Sequence, residues 1–294
     1  MRGRPDPLAT SARSWLPFAL GGGITAGVAP LLFLQVLYQE RFYTANLLLA
    51  HRWMAIIPAL VVGFYLLYLH KSARGQALGR LARAATIGVA WACFLFVAWS
   101  WTTNHLLMLD DGAWREVYAA GGLGYRGDGD LARWAMWLLA SLPLFAAGSV
   151  YLAPPTARRV AAVLGAVGLG LALAAAAVVY AGLPASAQAA VAASPWRPVL
   201  LLAAALALGG WGALAWRPTA AWARALMTAA MALVLVAGAL TREAVRAQVL
   251  APLGPSVASA GGVVAFLLVA AAVVVALVAI ARIVRSAAPE PDPE

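Results

Sequence analysis

The stretch VLYQERFYTANLLLAHRW, residues 36–53, concentrates titratable side chains in a chain that has few of them. Glu40, Arg41, His51 and Arg52 lie here among aromatic residues. A carboxylate or an imidazole can accept a proton, and an arginine can hold an oxygen of a bound molecule by hydrogen bonds. This combination of residue types is suited to proton exchange with a small ligand, provided that the fold brings the side chains together.

The composition of the chain is that of a membrane protein. Of its 294 residues, 64% are hydrophobic and 11% are charged, whereas soluble domains are about 45–50% apolar and about 25% charged. The net charge of +10 fits basic residues gathered in cytoplasmic loops, so we expect no nucleic-acid partner. The single cysteine, Cys93, excludes an internal disulfide and a multi-cysteine zinc or iron–sulfur site.

Eight apolar runs are long enough to cross the hydrocarbon of a bilayer as helices, which takes about 20 residues. They predict an all-α, polytopic integral membrane bundle with about eight transmembrane helices. The predicted spans are 17–38, 48–69, 84–104, 131–153, 160–182, 198–216, 225–241 and 262–281. With the N-terminus inside, more of the Lys and Arg residues fall on the inner side than on the outer side, which predicts that both termini are cytoplasmic.

The chain divides into four predicted segments. Residues 1–16 form a cytoplasmic tail, and residues 286–294 form a disordered acidic tail. Residues 17–153 form a four-helix half that carries most aromatics and all three histidines, and residues 154–285 form a four-helix half rich in Ala, Val and Leu. No Asp, Glu, Lys, Arg or His lies at the middle of a predicted span, which argues against ion-coupled transport.

On this topology the polar side chains collect at the outer ends of the spans. His51 begins the second predicted span, and His105 follows the third. Arg242 and Arg246 are four residues apart and share a face with Glu243 nearby if their helix continues. We expect proton acceptance by His51, Glu40 and Glu243, and ligand binding by Gln35, Arg41, Tyr43, His105, Arg242 and Arg246.

Oxidation of a lipid-soluble quinol is the chemistry that this arrangement suits best. It needs an apolar slot that opens at the membrane surface and groups that accept two protons. Each Tyr, Trp, Arg or His at a span end is alternatively an interfacial anchor. A site for a free metal ion is not predicted, because the spacing of His105, Asp110 and Asp111 matches no familiar ligand pattern.

A b-type haem held by His51 and His105 is a further alternative, since paired imidazoles ligate such haems. The sequence disfavours it for three reasons. Both histidines lie at span ends, no second histidine pair exists, and no C-x-x-C-H attachment motif occurs.

Two stretches resemble known families. ALGGGITAGVAPLLFLQ, residues 19–35, together with the eight-span layout, resembles the haem-free quinol-interacting anchor subunits of polysulfide-reductase type. LTREAVRAQVL, residues 240–250, is similar to the Glu-x-x-Arg element at the quinol site of cytochrome bd subunit I, although the haem ligands which that family implies are missing here. Both resemblances imply a quinol site near the outer face, with Gln35, Glu243 and Arg246 as contacts.

The sequence therefore predicts a quinol-interacting or anchor subunit of a respiratory electron-transfer complex in a bacterial inner membrane. In catalysis it would act as a non-autonomous subunit of a quinol-linked oxidoreductase. Its expected partners are the lipid bilayer, other membrane subunits, and an extracytoplasmic redox subunit such as a cytochrome c or an iron–sulfur protein. A transporter of a neutral or lipid-like substrate and a purely structural membrane subunit are the alternatives.

Overall fold

The computed structural model describes residues 38–122 and 129–250, together with several short pieces. The short pieces are residues 8–10, 12–13, 16–17, 19–24, 35, 124–125 and 127. All regular secondary structure in these residues is α-helical.

Eleven helices span the described residues from 39 to 250. In chain order they are α1 (Gln39–Leu49), α2 (His51–Met54), α3 (Ile56–Lys71), α4 (Ala73–Ala77), α5 (Arg80–Leu109), α6 (Trp114–Ala120), α7 (Asp130–Leu152), α8 (Pro155–Ala181), α9 (Ala185–Ala193), α10 (Trp196–Trp216) and α11 (Ala221–Leu250). Six are long and apolar enough to cross a membrane: α2 continued by α3, α5, α7, α8, α10 and α11. The 30 residues of α5 extend about 45 Å, more than the ~30 Å of bilayer hydrocarbon.

These six helices indicate a multi-pass membrane protein, and they correspond to the six predicted spans from 48–69 to 225–241. The predicted span 262–281 lies outside the described residues, as does 17–38 apart from residues 17, 19–24, 35 and 38. The count of eight spans and the side of each terminus therefore stay predictions.

Large apolar side chains cover the outside of the described helices. Tyr65, Trp91 and Trp216 are 73%, 62% and 78% exposed. Hydrocarbon is as apolar as these side chains, so a protein surface in contact with lipid has no need to bury them. The surface is thus what a lipid-facing bundle requires.

The segment between the predicted spans 17–38 and 48–69 is a helix. A short loop is the expectation for residues that only join two spans, but α1 occupies Gln39–Leu49. Its buried residues Phe42, Ala45 and Leu49 are three and four positions apart, so they share one helical face. That face packs on Leu107 and Met108 of α5 and on Val117 of α6. The helix forms because this spacing gives it an apolar side to bury.

The segment between the predicted spans 84–104 and 131–153 is also partly helical. Helix α5 continues through His105 to Leu109, and α6 follows at Trp114. Val117 of α6 is buried against α1 and α5. This contact gives the short helix α6 its stability, because seven residues alone do not sustain a helix in water.

The pair of α7 and α8 shows how the long helices pack. Only two residues separate them, so the chain reverses and the two helices run antiparallel. Pro155 begins α8 in its first turn, where the missing N–H of proline costs no hydrogen bond. Gly168 of α8 lies against Leu142 and Pro143 of α7, so closely that an added Cβ would be 2.6 Å from the Leu142 Cβ.

A second, larger core joins α7, α8, α10 and α11. Its buried residues are Ala146, Val150, Ala161, Ala162, Leu169, Ala207, Trp211, Leu214, Ala223, Met227, Ala230 and Met231. Alanine is the most frequent residue in this set, and small residues let helices approach closely in lipid, where the hydrophobic effect does not drive helices together. Trp211 is the large exception, and Gly165 provides the space for its ring.

We predict that Gly165→Ala destabilises the bundle by about 2 kcal/mol, because an added Cβ would lie 2.6 Å from the buried Trp211 ring and overpacking has costs of this size. Gly170 on the same helix has open space at its Cβ position and serves as the matched control. Gly170→Ala should leave stability unchanged or raise it by up to ~1 kcal/mol through helix propensity. Denaturant titration in detergent micelles measures both, and equal stabilities would contradict the packing account.

Candidate functional site

Polar side chains meet at one end of the bundle, which we call the polar end. It is formed by α1, α2 and α6, by the start of α7 and by the C-terminal ends of α5 and α11. Arg41 of α1 pairs with Asp111 after α5, and Arg246 of α11 lies over the Tyr38 ring at 5.7 Å. Arg133 of α7 lies within electrostatic range of His105 of α5.

Arg52 is the most completely buried charged residue among those described, with 0% of its surface exposed. Its Nη1 donates to the Tyr125 carbonyl at 2.8 Å. Its Nη2 donates to Thr103 Oγ1 at 2.7 Å and to the Trp99 carbonyl at 3.1 Å, and its Nε donates to Ser100 Oγ at 3.3 Å. The guanidinium carbon lies 3.5 Å from the centroid of the Trp99 ring. We call this set of contacts the Arg52 network.

In the Arg52 network, the hydroxyls of Ser100 and Thr103 each make two hydrogen bonds, one as acceptor and one as donor. Ser100 Oγ and Thr103 Oγ1 accept from Arg52 and donate to the carbonyls of Phe96 and Trp99, four residues earlier in α5. A buried charge is tolerated only where such hydrogen bonds replace those of water. The rigid fork of the guanidinium explains why one side chain can serve so many acceptors.

Arg52 lies near the start of the predicted span 48–69, and its burial was not predicted. The available signal was SWTTN, residues 100–104, a polar run at the end of predicted span 84–104. Ser100, Thr102, Thr103 and Asn104 are all buried, and Asn104 donates to Asn46 of α1 at 2.6 Å. A polar run inside a span requires polar partners, and Arg52 and Asn46 supply them.

Ala50 separates α1 from α2 with an unusual backbone, φ 44° and ψ −118°. The chain changes direction here, and the next two side chains have opposite environments. His51 is exposed, whereas Arg52 is buried. The turn therefore presents the imidazole outward while the adjacent guanidinium enters the helix packing.

His51 lines a shallow cleft of about 300 Å³. The other lining residues are Leu49, Ala50, Ala120, Gly121, Gly122 and Gly124. Apart from His51 these residues are small or apolar, so the imidazole is the titratable group of the cleft. We call this the His51 cleft.

The predicted residues on α1 have different environments. Arg41 donates to Asp111 Oδ2 at 2.5 Å and to the Met108 carbonyl at 3.2 Å, and it lies 5.8 Å from the Trp114 ring centroid. Glu40 and Tyr43 are exposed on the same helix. The exposed pair is available to a ligand, whereas Arg41 joins α1 to the end of α5.

The predicted residues on α11 form a second group. The helix continues through residues 242–246 as the sequence analysis required. Glu243 pairs with Arg246 at 2.5 Å and with Arg242 at 3.4 Å. His105 is partly buried in α5, and Arg242 and Arg246 lie within electrostatic range of it. Gln35 is also partly buried.

The polar end thus offers two neighbouring groups: the His51 cleft with the Arg52 network, and the Glu243 group with His105. Among the described residues, no group of three or more His, Cys, Asp or Glu side chains could hold a metal ion. Comparisons with protein-family models, with curated proteins and with solved structures found no match to this chain. The functional argument therefore rests on the residues themselves.

We predict that Ala50→Gly raises the free energy of unfolding by about 1 kcal/mol, because a non-glycine residue at this backbone conformation carries strain of about 1–3 kcal/mol. Ala55, with φ −68° and ψ −10°, is the control. Ala55→Gly should lower stability by about 0.5–1 kcal/mol. Thermal unfolding of both variants in micelles measures the difference, and a loss of stability in Ala50→Gly would refute the assigned strain.

We predict that Arg52→Met destabilises the protein by about 3–5 kcal/mol, because it leaves buried acceptors without their donor. Arg246→Met is the comparison, since its ion pair is within one helix and should be worth about 0.5 kcal/mol. The same denaturant titration compares the two variants. Similar losses would show that the Arg52 network contributes no more than a surface pair.

Proposed function

We propose that this chain is the quinol-interacting subunit of a respiratory electron-transfer complex in a bacterial inner membrane. The polar end would be extracytoplasmic, since this placement puts more of the Lys and Arg residues on the cytoplasmic side. Quinol would enter from the lipid and lose its two protons at this end.

The observation that carries the proposal is His51 in its cleft. About 300 Å³ is at the lower limit of ligand pockets, enough for a ring whose tail remains in lipid. An imidazole is a suitable base near neutral pH. Because His51 is exposed, it could pass an accepted proton on to water.

The other predicted base candidates have weaker positions for this role. Glu243 accepts hydrogen bonds from two arginines, so its oxygens are occupied by ion pairs. Glu40 is exposed in the first turn of α1 and would serve as the second acceptor. Tyr43, Gln35, His105 and Arg242 remain candidate ring contacts. Arg41 pairs with Asp111 after α5, and Arg246 lies over the Tyr38 ring, so these two would hold the surrounding segments together.

The two electrons released by each quinol would leave through a partner. An extracytoplasmic cytochrome c or iron–sulfur subunit, docked at the polar end, would accept them. The chain itself would bind and orient the quinol and conduct its protons to water.

We predict that His51→Ala lowers quinol oxidation by native membranes by about 100-fold, the size of a general-base contribution. His70 is the matched control, because it lies at the opposite end of the same apolar stretch. His70→Ala should leave the rate unchanged. The measurement is the initial rate with a short-chain quinol, normalised to the amount of assembled complex.

A His51→Ala variant that assembles normally and retains the full rate would contradict the site assignment. Uptake of a neutral solute by vesicles containing the purified chain, with quinol oxidation unaffected, would instead favour a transporter. Co-purification with partner subunits, with no quinone bound and no effect of His51→Ala, would favour a structural subunit.

A further inference from the structure

Gly121, Gly122 and Gly124 line the cleft together with His51, and Tyr125 follows them in the chain. We call Gly121, Gly122, Gly124 and Tyr125 the glycine loop. Two contacts between its described residues and the helices are important here. Gly122 lies so close to the Leu48 carbonyl of α1 that a Cβ there would overlap it. Tyr125 contributes its carbonyl to Arg52, which donates to it from Nη1 at 2.8 Å.

The other end of Arg52 is fixed in α5. Nε and Nη2 donate to Ser100 and Thr103, and the Trp99 ring packs on the guanidinium face. One planar group therefore joins a loop to a transmembrane helix. Any change in the reach of this side chain would change where the loop can lie.

One of these contacts is made by the cleft residue Gly122, and the other by Tyr125, which directly follows the cleft residue Gly124. Gly121, Gly122 and Gly124 line the cleft together with His51, and Arg52 directly follows His51 in the chain. Two adjacent residues are therefore connected to the cleft in different ways. His51 lines it directly, and Arg52 binds the carbonyl of Tyr125, which follows the lining glycines in the chain.

We propose that Arg52 is a positioning residue that sets the width of the His51 cleft by holding the glycine loop through the Tyr125 carbonyl. It acts through the loop and touches no ligand. The ligand class, a quinol ring, rests on the proposed function, but the mechanical role does not. The cleft width would decide which ring substituents fit beside His51.

Lysine cannot replace this arrangement. Its donors share one nitrogen, whereas the arginine fork reaches the loop carbonyl and the α5 hydroxyls at the same time. Arg52→Lys keeps the charge and should still fold, but it must lose the hydrogen bonds either to the loop carbonyl or to the α5 hydroxyls. Arg52→Gln removes the charge as well.

A nitroxide spin label at Gly124→Cys tests the attachment directly. The background is Cys93→Ser, which removes the natural cysteine, and the Gly124 Cβ position has open space for the label. In the full-length chain in lipid nanodiscs, we expect Arg52→Lys or Arg52→Gln to shift the spectrum toward its mobile component. An unshifted spectrum in both variants would overturn the proposal.

Two controls separate a local loosening from general instability. A label at Gly88→Cys, on α5 and also in open space, should keep its spectrum in the Arg52 variants. Thr103→Val removes an acceptor in α5 but leaves the bond to Tyr125, so it should leave the Gly124 label unshifted. Equal mobilisation of both labels would contradict a role specific to the loop.

Titration of nanodiscs that contain the unlabelled parent or Arg52 variants with quinone analogues differing in ring substituents then tests the ligand class. We expect Arg52→Lys to reduce the differences in affinity between the analogues, while the affinity for the analogue with the smallest ring changes less. If the label shifts but no analogue binds any variant, the positioning role stands and the proposed quinol function fails. If analogues bind and the label does not shift, the function stands and the positioning role fails.

Discussion

The polar end depends on one buried guanidinium. Arg52 connects α2, the C-terminal part of α5 and the glycine loop through hydrogen bonds of 2.7–3.3 Å. Burying a charge in an apolar bundle is costly unless every donor is used. The hydroxyls of Ser100 and Thr103 and the carbonyls of Trp99 and Tyr125 accept hydrogen bonds from Arg52, and the Trp99 ring packs on the face of the guanidinium. His51, which is exposed and lines the cleft, directly precedes Arg52 in the chain.

The packing of the other helices is what a lipid environment requires. Outside the polar end, the helices pack through alanine and glycine, because close approach rather than water exclusion holds helices together in hydrocarbon. Gly165 and Gly210 illustrate this, one against the Trp211 ring and the other against the Met227 backbone. The result is an apolar frame that carries the His51 cleft and the Arg52 network at one of its ends.

The long helices were predictable, because span length and hydropathy are properties of a continuous stretch. Helix α1 was not predicted, although Phe42, Ala45 and Leu49 have the spacing of one helical face. The charged and polar residues between them made the segment look like a loop. The sequence signalled the burial of Arg52 only indirectly, through the polar run at residues 100–104, because its partners come from distant parts of the chain. The pairing of Glu243 with Arg246 was predictable from helical spacing. The contact of Arg246 with the Tyr38 ring was not.

The central claim is that a quinol ring occupies the His51 cleft, and photo-crosslinking tests it most directly. An azidoquinone would be illuminated in native membranes that contain the assembled complex, and the labelled peptides would be mapped by mass spectrometry. The account predicts adducts on residues 49–51 or on the glycine loop that excess natural quinone suppresses. Suppressible adducts confined to the opposite end of the bundle, or none on this chain, would contradict it.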